Sequence, residues 1–265
     1  MKIYASLIRI RFLNGLQYRT AAAAGLSTQF AWGFMEILAF MALYRANPAA
    51  FPMEFSQTVS YIWLQQGFLA LFFSWGYGAD AAETIVSGNI AYDMARPIDI
   101  YNRWFCETIA TRLSRGALRC MPVLIVALLL PAPMNLSLPA SPVQFLVFIV
   151  SMIMAMCVVT AFGMLDIMTT FYTMSRMNLV FAIVCDFLGG AYIPLPFFPD
   201  RFRNVLEILP FASMQNLPLR IYSGHISGAE MHRGLALQVF WLVTLVLLGK
   251  WVMNRSLKRV VTQGG

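Results

Sequence analysis

Three carboxylates stand inside runs of apolar residues: Glu36, Asp166 and Asp186. An ionised group within such a run is costly unless it pairs or meets water, so each is a functional candidate by default. Glu36 and Asp186 each have two readings. Either carboxylate faces a cavity and attracts a cationic substrate, or it pairs silently with a neighbouring helix or a second subunit. Asp166 lies toward the inner end of its run, where the side chain reaches the interface. Three isolated acids do not make a proton relay, which needs polar neighbours strung along a path.

Other chemistry finds no support. The Gly249-Lys250 pair is followed by Trp251 inside an apolar run, so it is no phosphate-binding loop. Neither HExxH nor Gly-x-Ser-x-Gly occurs. Cys106, Cys120, Cys157 and Cys185 lack metal or redox spacing and read as packing residues. His225 and His232 lie in a polar stretch with no partner pattern. If this chain moves anything against a gradient, its motor is another polypeptide.

The elements that hold these residues are membrane spans. Hydrophobic residues make up 59% of the 265 and charged ones 12%, against roughly half and a quarter in soluble proteins. That composition predicts an all-α integral membrane protein, one domain over 1–265. Runs of about 17–25 apolar residues predict six transmembrane helices, at 20–44, 58–77, 116–131, 143–162 (the helix continuing to 171), 177–193 and 235–253. The third helix is expected to begin near Trp104. Small residues at 21–25, with Ser27, Ala31 and Gly33, favour close packing against another helix or across a dimer axis.

All but five of the 19 Lys and Arg residues fall on one side of this arrangement, the five being Arg45, Arg201, Arg203, Arg220 and Arg233. The basic side is cytoplasmic and carries both termini. Topology thus accounts for the net charge of +7, and no nucleic-acid surface is needed. Residues 1–19 place Ile3, Leu7, Ile10 and Leu13 between basic residues, as in an amphipathic helix at the inner interface of the bilayer. Arg9 and Arg11 interrupt this stretch where a cleavable signal has an uncharged core. Trp251 beside Lys250 and Arg255 makes an interfacial anchor.

Two connections are unusual. The loop 78–101 predicts a helix over 79–86, with Asp80 and Glu83 in its first turns where the dipole favours anions. Ser87-Gly88-Asn89 ends it, and a second turn over 90–95 stops at Arg96-Pro97. With Ile85, Ile90, Tyr92 and Met94 exposed, the loop suits a cleft on a partner; the plainer reading is a solvated connector. The stretch 194–232, approached through Gly189-Gly190, is too apolar for a solvated loop and too rich in proline for one helix. Irregular backbone at membrane depth survives only where protein or a wet cavity supplies partners. Short helices over 200–209 and 213–222 are expected, re-entrant from the outer face. Pro194 and a buried Pro210 corner shape this outer gate, with Phe197, Phe198, Phe202 and Phe211 as its plug.

Several short motifs recur here in a fixed order. They are Ser87-Gly88-Asn89 with Arg96-Pro97, Gly189-Gly190 with Ile193-Pro194-Leu195 and Phe198-Pro199, Leu209-Pro210-Phe211, Tyr222-Ser223-Gly224, and Gln263-Gly264-Gly265. In that order the chain resembles, over nearly its whole length, the membrane subunits of ABC-2-type exporters, in the six-span branch. The resemblance implies a non-enzymatic permease of the bacterial inner membrane, exporting a hydrophobic or amphipathic substrate (drug, peptide or lipid-like) by alternating access. It implies a second permease subunit, identical or paralogous, and a cytoplasmic ATPase dimer. ATP and Mg would be bound there, with no cofactor in this chain. Asp80, Glu83, Ile85, Ser87, Asn89, Asp93 and Arg96 would then contact the ATPase, and Glu36 and Asp186 would lie near a central pathway. The alternatives are an ion-coupled secondary carrier and a membrane scaffold or immunity protein. Carriers of that kind show broken helices in matching positions of two halves, whereas the one clear break expected here lies between spans five and six.

Overall fold

A helix bonds its own amides and carbonyls, which lipid cannot do, so long apolar stretches fold as helices. The computed structural model describes residues 2–17, 19–47, 51–74, 76–174 and 179–260. All regular structure among them is helical. In chain order the elements are α1 (Lys2–Gly15), α2 (Arg19–Ala46), α3 (Phe55–Gly67), α4 (Leu69–Phe72), α5 (Ala79–Val86), α6 (Ile90–Met94), α7 (Ile100–Leu129), α8 (Pro142–Thr173), α9 (Leu179–Leu188), α10 (Asp200–Ile208), α11 (Leu217–Tyr222) and α12 (Gly228–Leu257). A 3-10 turn covers Leu195–Phe197, and a π turn, Ala212–Asn216, leads into α11. Among the described residues three helices are long and apolar enough to cross a membrane: Ala23–Ala46, Pro142–Thr173 and Gly228–Leu257.

Local chemistry sets several boundaries. The Asp99 side chain accepts from the Asn102 amide at 2.7 Å, so α7 starts at Ile100, a turn before Trp104. Ser141 caps α8 in the same way, with Pro142 in the first turn. Two of the expected spans are not continuous helices. The second is divided: Phe68 leaves helical geometry, α4 ends at Phe72, and Phe73 is extended. The fifth stops at Leu188, because Gly190 takes a left-handed φ of 84° and the Ala191 amide closes back on the Asp186 carbonyl. A Cβ at Gly190 would sit 2.9 Å from both Leu195 Cδ1 and the Tyr61 hydroxyl, so glycine is required on two counts. Arg176, the start of the expected fifth run and the Gln263-Gly264-Gly265 motif lie outside the described residues.

The core is built around α3, buried on every side from Thr58 to Gly67. Trp63 is its centre. Phe30 and Phe34 of α2 meet its ring edge-on, and its Nε1 donates to the Met134 carbonyl at 2.8 Å. Ile37, Val123, Phe148, Leu219 and Ile221 complete this cluster from α2, α7, α8 and α11. The small-residue face of α2 is used inside the chain: Gly33 lies against Trp63 and Gly25 against Arg119. A second cluster gathers Ile85, Ile90, Tyr101, Trp104, Met164, Met168 and Met253 where α5, α6, α7, α8 and α12 meet. α1 runs beside α7, with Gly15 against Ser114, while Ile3, Ile10 and Leu13 stay exposed.

Candidate functional site

The α5–α6 loop is helical over nearly the residues expected, but its faces are not distributed as expected. Ile85 and Ile90 are buried within the chain rather than displayed. The Tyr92 side chain is exposed (73%), as is that of Met94. Asp93 is buried too, with the Arg103 guanidinium on both carboxylate oxygens, one contact at 2.9 Å. Arg96 reaches the same carboxylate from the surface at 3.8 Å. Asp80, Glu83, Ser87 and Asn89 are exposed, and Asp80 meets Arg11 of α1 at 3.8 Å. An exposed ridge of Tyr92, Met94 and polar residues thus stands on a buried platform. Tyr101, at its base, presses its ring against Gly249 of α12. A cavity of about 550 Å3 opens between this loop and Phe171, Met174 and Arg259.

The three acids occupy different settings. Glu36 is half-buried; one oxygen has no partner among the described residues, and its polar neighbour is the Gln66 side chain. Asp186 is buried near the end of α9. Its Oδ1 accepts from the Ser74 amide at 3.0 Å, just past the end of α4. Asp166 is half-buried in α8, beside Ile167, which packs on Gly78 at the start of α5. Asp166 and Asp186 both lie within Coulombic reach of the Cys185 side chain, while Glu36 lies beside Gln66.

The segment after α9 keeps its polar backbone satisfied by side chains from distant helices. Tyr61 donates to the Gly190 carbonyl at 3.1 Å, and Gln65 to that of Ala191. Gln144 of α8 donates to the Ile221 carbonyl at 2.5 Å. Gln238 of α12 bonds the carbonyls of Ser213 and Ser151 at 2.9 and 3.1 Å, and Trp241 that of Ile208 at 2.8 Å. Asn216 accepts from the Leu195 amide at 3.3 Å. Pro194 and Pro210 are buried. The four phenylalanines do not form one cluster within the chain. Phe197 packs on Phe40 of α2 at 4.9 Å between centroids, Phe198 between Phe187 and Phe202, and Phe211 on Phe162 of α8.

Two arginines matter more than their sequence context indicated. Arg112, counted among the basic flank residues, is fully buried (1% exposed) and donates to the carbonyls of Leu71 and Phe73 at 3.0 and 2.8 Å. Arg220 is also buried. It holds Glu207 of α10 at 2.8 Å, Glu230 of α12 at 2.7 Å and, through Nε, His225 Nδ1 at 3.1 Å. The other ring nitrogen of His225 lies 3.2 Å from the Pro52 carbonyl, so the neutral ring bears its proton on Nε2. Burial, and then the Arg220 charge, hold the His225 pKa below its ordinary value. No local motif marks either arginine; a charge on the apolar face of a helix was the one usable signal.

Among the described residues no group of three His, Cys, Asp or Glu could hold a metal ion. No curated protein matches the chain. A family model described as ABC-2 family transporter protein matches residues 30–264, nearly the entire length, and the chain therefore belongs to that family of membrane transporters.

Proposed function

We propose that the chain is the membrane subunit of an ATP-driven exporter for hydrophobic or amphipathic cargo, its ATP and Mg held by a separate cytoplasmic ATPase dimer. The observation that carries this reading is the α5–α6 loop on its buried platform, in a chain of this family. Exposed Tyr92 and Met94, flanked by Asp80, Glu83, Ser87, Asn89 and Arg96, make the docking face. Ile85 and Asp93 contribute from beneath by holding that face in place. Displacement of the ATPase under this loop reaches α8 and α12 through Tyr101, Trp104 and Gly249. The chain completes six crossings when α3–α4, α7 and α9 with its following segment are added to the three long helices. Both termini are then on the inner face of a bacterial inner membrane, and a second permease subunit, identical or paralogous, completes the pathway. In this arrangement the 194–232 segment closes the outer side, and Glu36, with its unpartnered oxygen, is the acid best placed to meet a cationic cargo.

A specific observation favours one rival. The breaks after Gly67 and after Leu188 fall in the second and fifth spans, matching positions of two three-span halves, as in ion-coupled carriers. Co-purification separates the two. The permease, tagged and isolated from its native membrane, is expected to bring an ATP-binding-cassette ATPase through two affinity steps at fixed stoichiometry. A permease that purifies alone and moves cargo on an ion gradient would replace the exporter reading with the carrier.

A further inference from the structure

The backbone from the end of α4 to Ser74 is gripped from two sides. Arg112 of α7 takes the carbonyls of Leu71 and Phe73, while Asp186 of α9 takes the Ser74 amide. The guanidinium also lies over the Tyr77 ring, 3.9 Å from its centroid, and the Tyr77 hydroxyl donates to the Ala70 carbonyl at 2.6 Å. α5 begins directly after this knot. On the other side α9 is held largely by apolar contact, Phe181 stacking on Phe162 of α8 at 5.2 Å between centroids and Phe187 meeting Phe198. Only Ala182, Cys185 and Asp186 are buried among its described side chains, and Asp186 makes its polar side-chain tie. Past Leu188, α9 continues into the backbone that Tyr61 and Gln65 hold.

Resting on the exporter reading above, we propose that Arg112 and Asp186 are positioning residues, a two-sided clamp that carries displacement of the α5–α6 loop to α9 and the segment beyond it. Two further atoms fit this role. Arg112 Nε and Asp186 Oδ2 are buried, and neither has a partner among the described residues. One is a donor and the other an acceptor, and the two groups lie within Coulombic reach of each other. A shift of the backbone between them brings donor and acceptor into contact, which gives the clamp two arrangements, open and closed.

The test uses spin labels in the permease–ATPase complex, after replacing the four native cysteines by serine. Labels at Ala95, Val180 and Val143, all exposed, report the loop, α9 and α8. In the parent complex, vanadate trapping of the ATPase is expected to shift both the Ala95–Val143 and the Val180–Val143 distances. In Asp186→Asn and in Arg112→Lys the first shift is expected to persist while the second falls at least twofold. A Val180 shift of parent size in both variants, or none in the parent complex, overturns the clamp. A second measurement needs no ATPase. In the permease alone each substitution should broaden the Val180–Val143 distribution, and the double variant should broaden it no more than the larger single one. Additive broadening, or none, overturns the clamp as well. Should no ATPase co-purify with the parent chain, the exporter reading fails and the permease-alone measurement decides the clamp by itself.

Discussion

The α5–α6 loop and the stretch from Gly190 to Tyr222 each lead into a 30-residue helix, α7 and α12, yet they are held by opposite means. The loop is made of helices that bond their own backbone; what fixes it is apolar contact from Ile85 and Ile90 and the buried ion pair Asp93–Arg103. The 190–222 stretch breaks its own backbone pattern repeatedly. Its carbonyls are satisfied by Tyr61, Gln65, Gln144, Gln238 and Trp241, side chains from α3, α8 and α12. Irregular backbone away from water transfers its hydrogen-bonding demand to other parts of the sequence. The loop is therefore separable in a way that the 190–222 stretch is not. Substitutions in α3, α8 and α12 should register in that stretch, whereas loss of the loop's own contacts should leave the hydrogen bonds of that stretch in place.

Arg220→Ala should produce the largest effect. It removes a buried cation from two carboxylates and a histidine, at about 4 kcal/mol. Thermal unfolding of the detergent-purified permease should show a drop of several degrees, with Arg220→Lys intermediate. Asp93→Asn comes next, at about 3 kcal/mol, because Arg103 stays buried without its counter-charge. Protease access should increase in the loop and not in the 190–222 stretch; increases in both would mean that the two regions share one cooperative unit. Gln65→Leu leaves the Ala191 carbonyl without its donor and should cost about 2 kcal/mol. If hydrogen exchange near Ala191 and Asn216 is no faster in that variant, the contrast drawn above fails at its root.

Acidity should separate the regions more gently. The folded state holds His225 neutral, so its contribution is fully present above the unfolded pKa of about 6.5 and is lost as pH falls through the lower folded value. Arg220, Glu207 and Glu230 face the ring along with the Pro52 carbonyl, and Arg233 lines the same small cavity as the two acids. Melting curves at pH 5 and pH 7.5 should differ by less in His225→Gln than in the parent, while a loop variant such as Asp93→Asn keeps the full difference. Tyr92→Ala should have the smallest effect on stability, under about 0.5 kcal/mol, as for other surface changes. Its value is diagnostic: ATPase retention should fall while the melting temperature stays put, which the buried Ile85 and Asp93 variants cannot achieve.

Legibility followed the range of the interactions. α5 could be read to the residue, and α10 to within one, because caps, prolines and first-turn acids are local signals. The long helices were legible from hydropathy. The division of the second span at Phe68 was not read: Gly67 stands directly before it, but Leu69-Ala-Leu-Phe72 continues the apolar run past that lone glycine. Burial of Ile85 and Ile90 was equally hidden, because an apolar residue on a short helix serves its own chain or a partner with the same sequence pattern. Arg112 looked like one more basic flank residue until α4 ended beside it. His225 had no visible partner because its contacts include Pro52, 173 residues away. Side chains that satisfy distant backbone leave no periodic trace.

That dependence also orders events during synthesis. The carbonyl of Ser213 finds its donor on Gln238, which the ribosome delivers 25 residues later, and α10 waits likewise for Trp241. When α9 through α11 have been made, α12 has not, and part of their backbone still lacks its partners. This stretch must remain in water, or under the care of the insertion machinery, until the last helix arrives. The nascent chain therefore completes the 190–222 stretch last, after every long helix is in place.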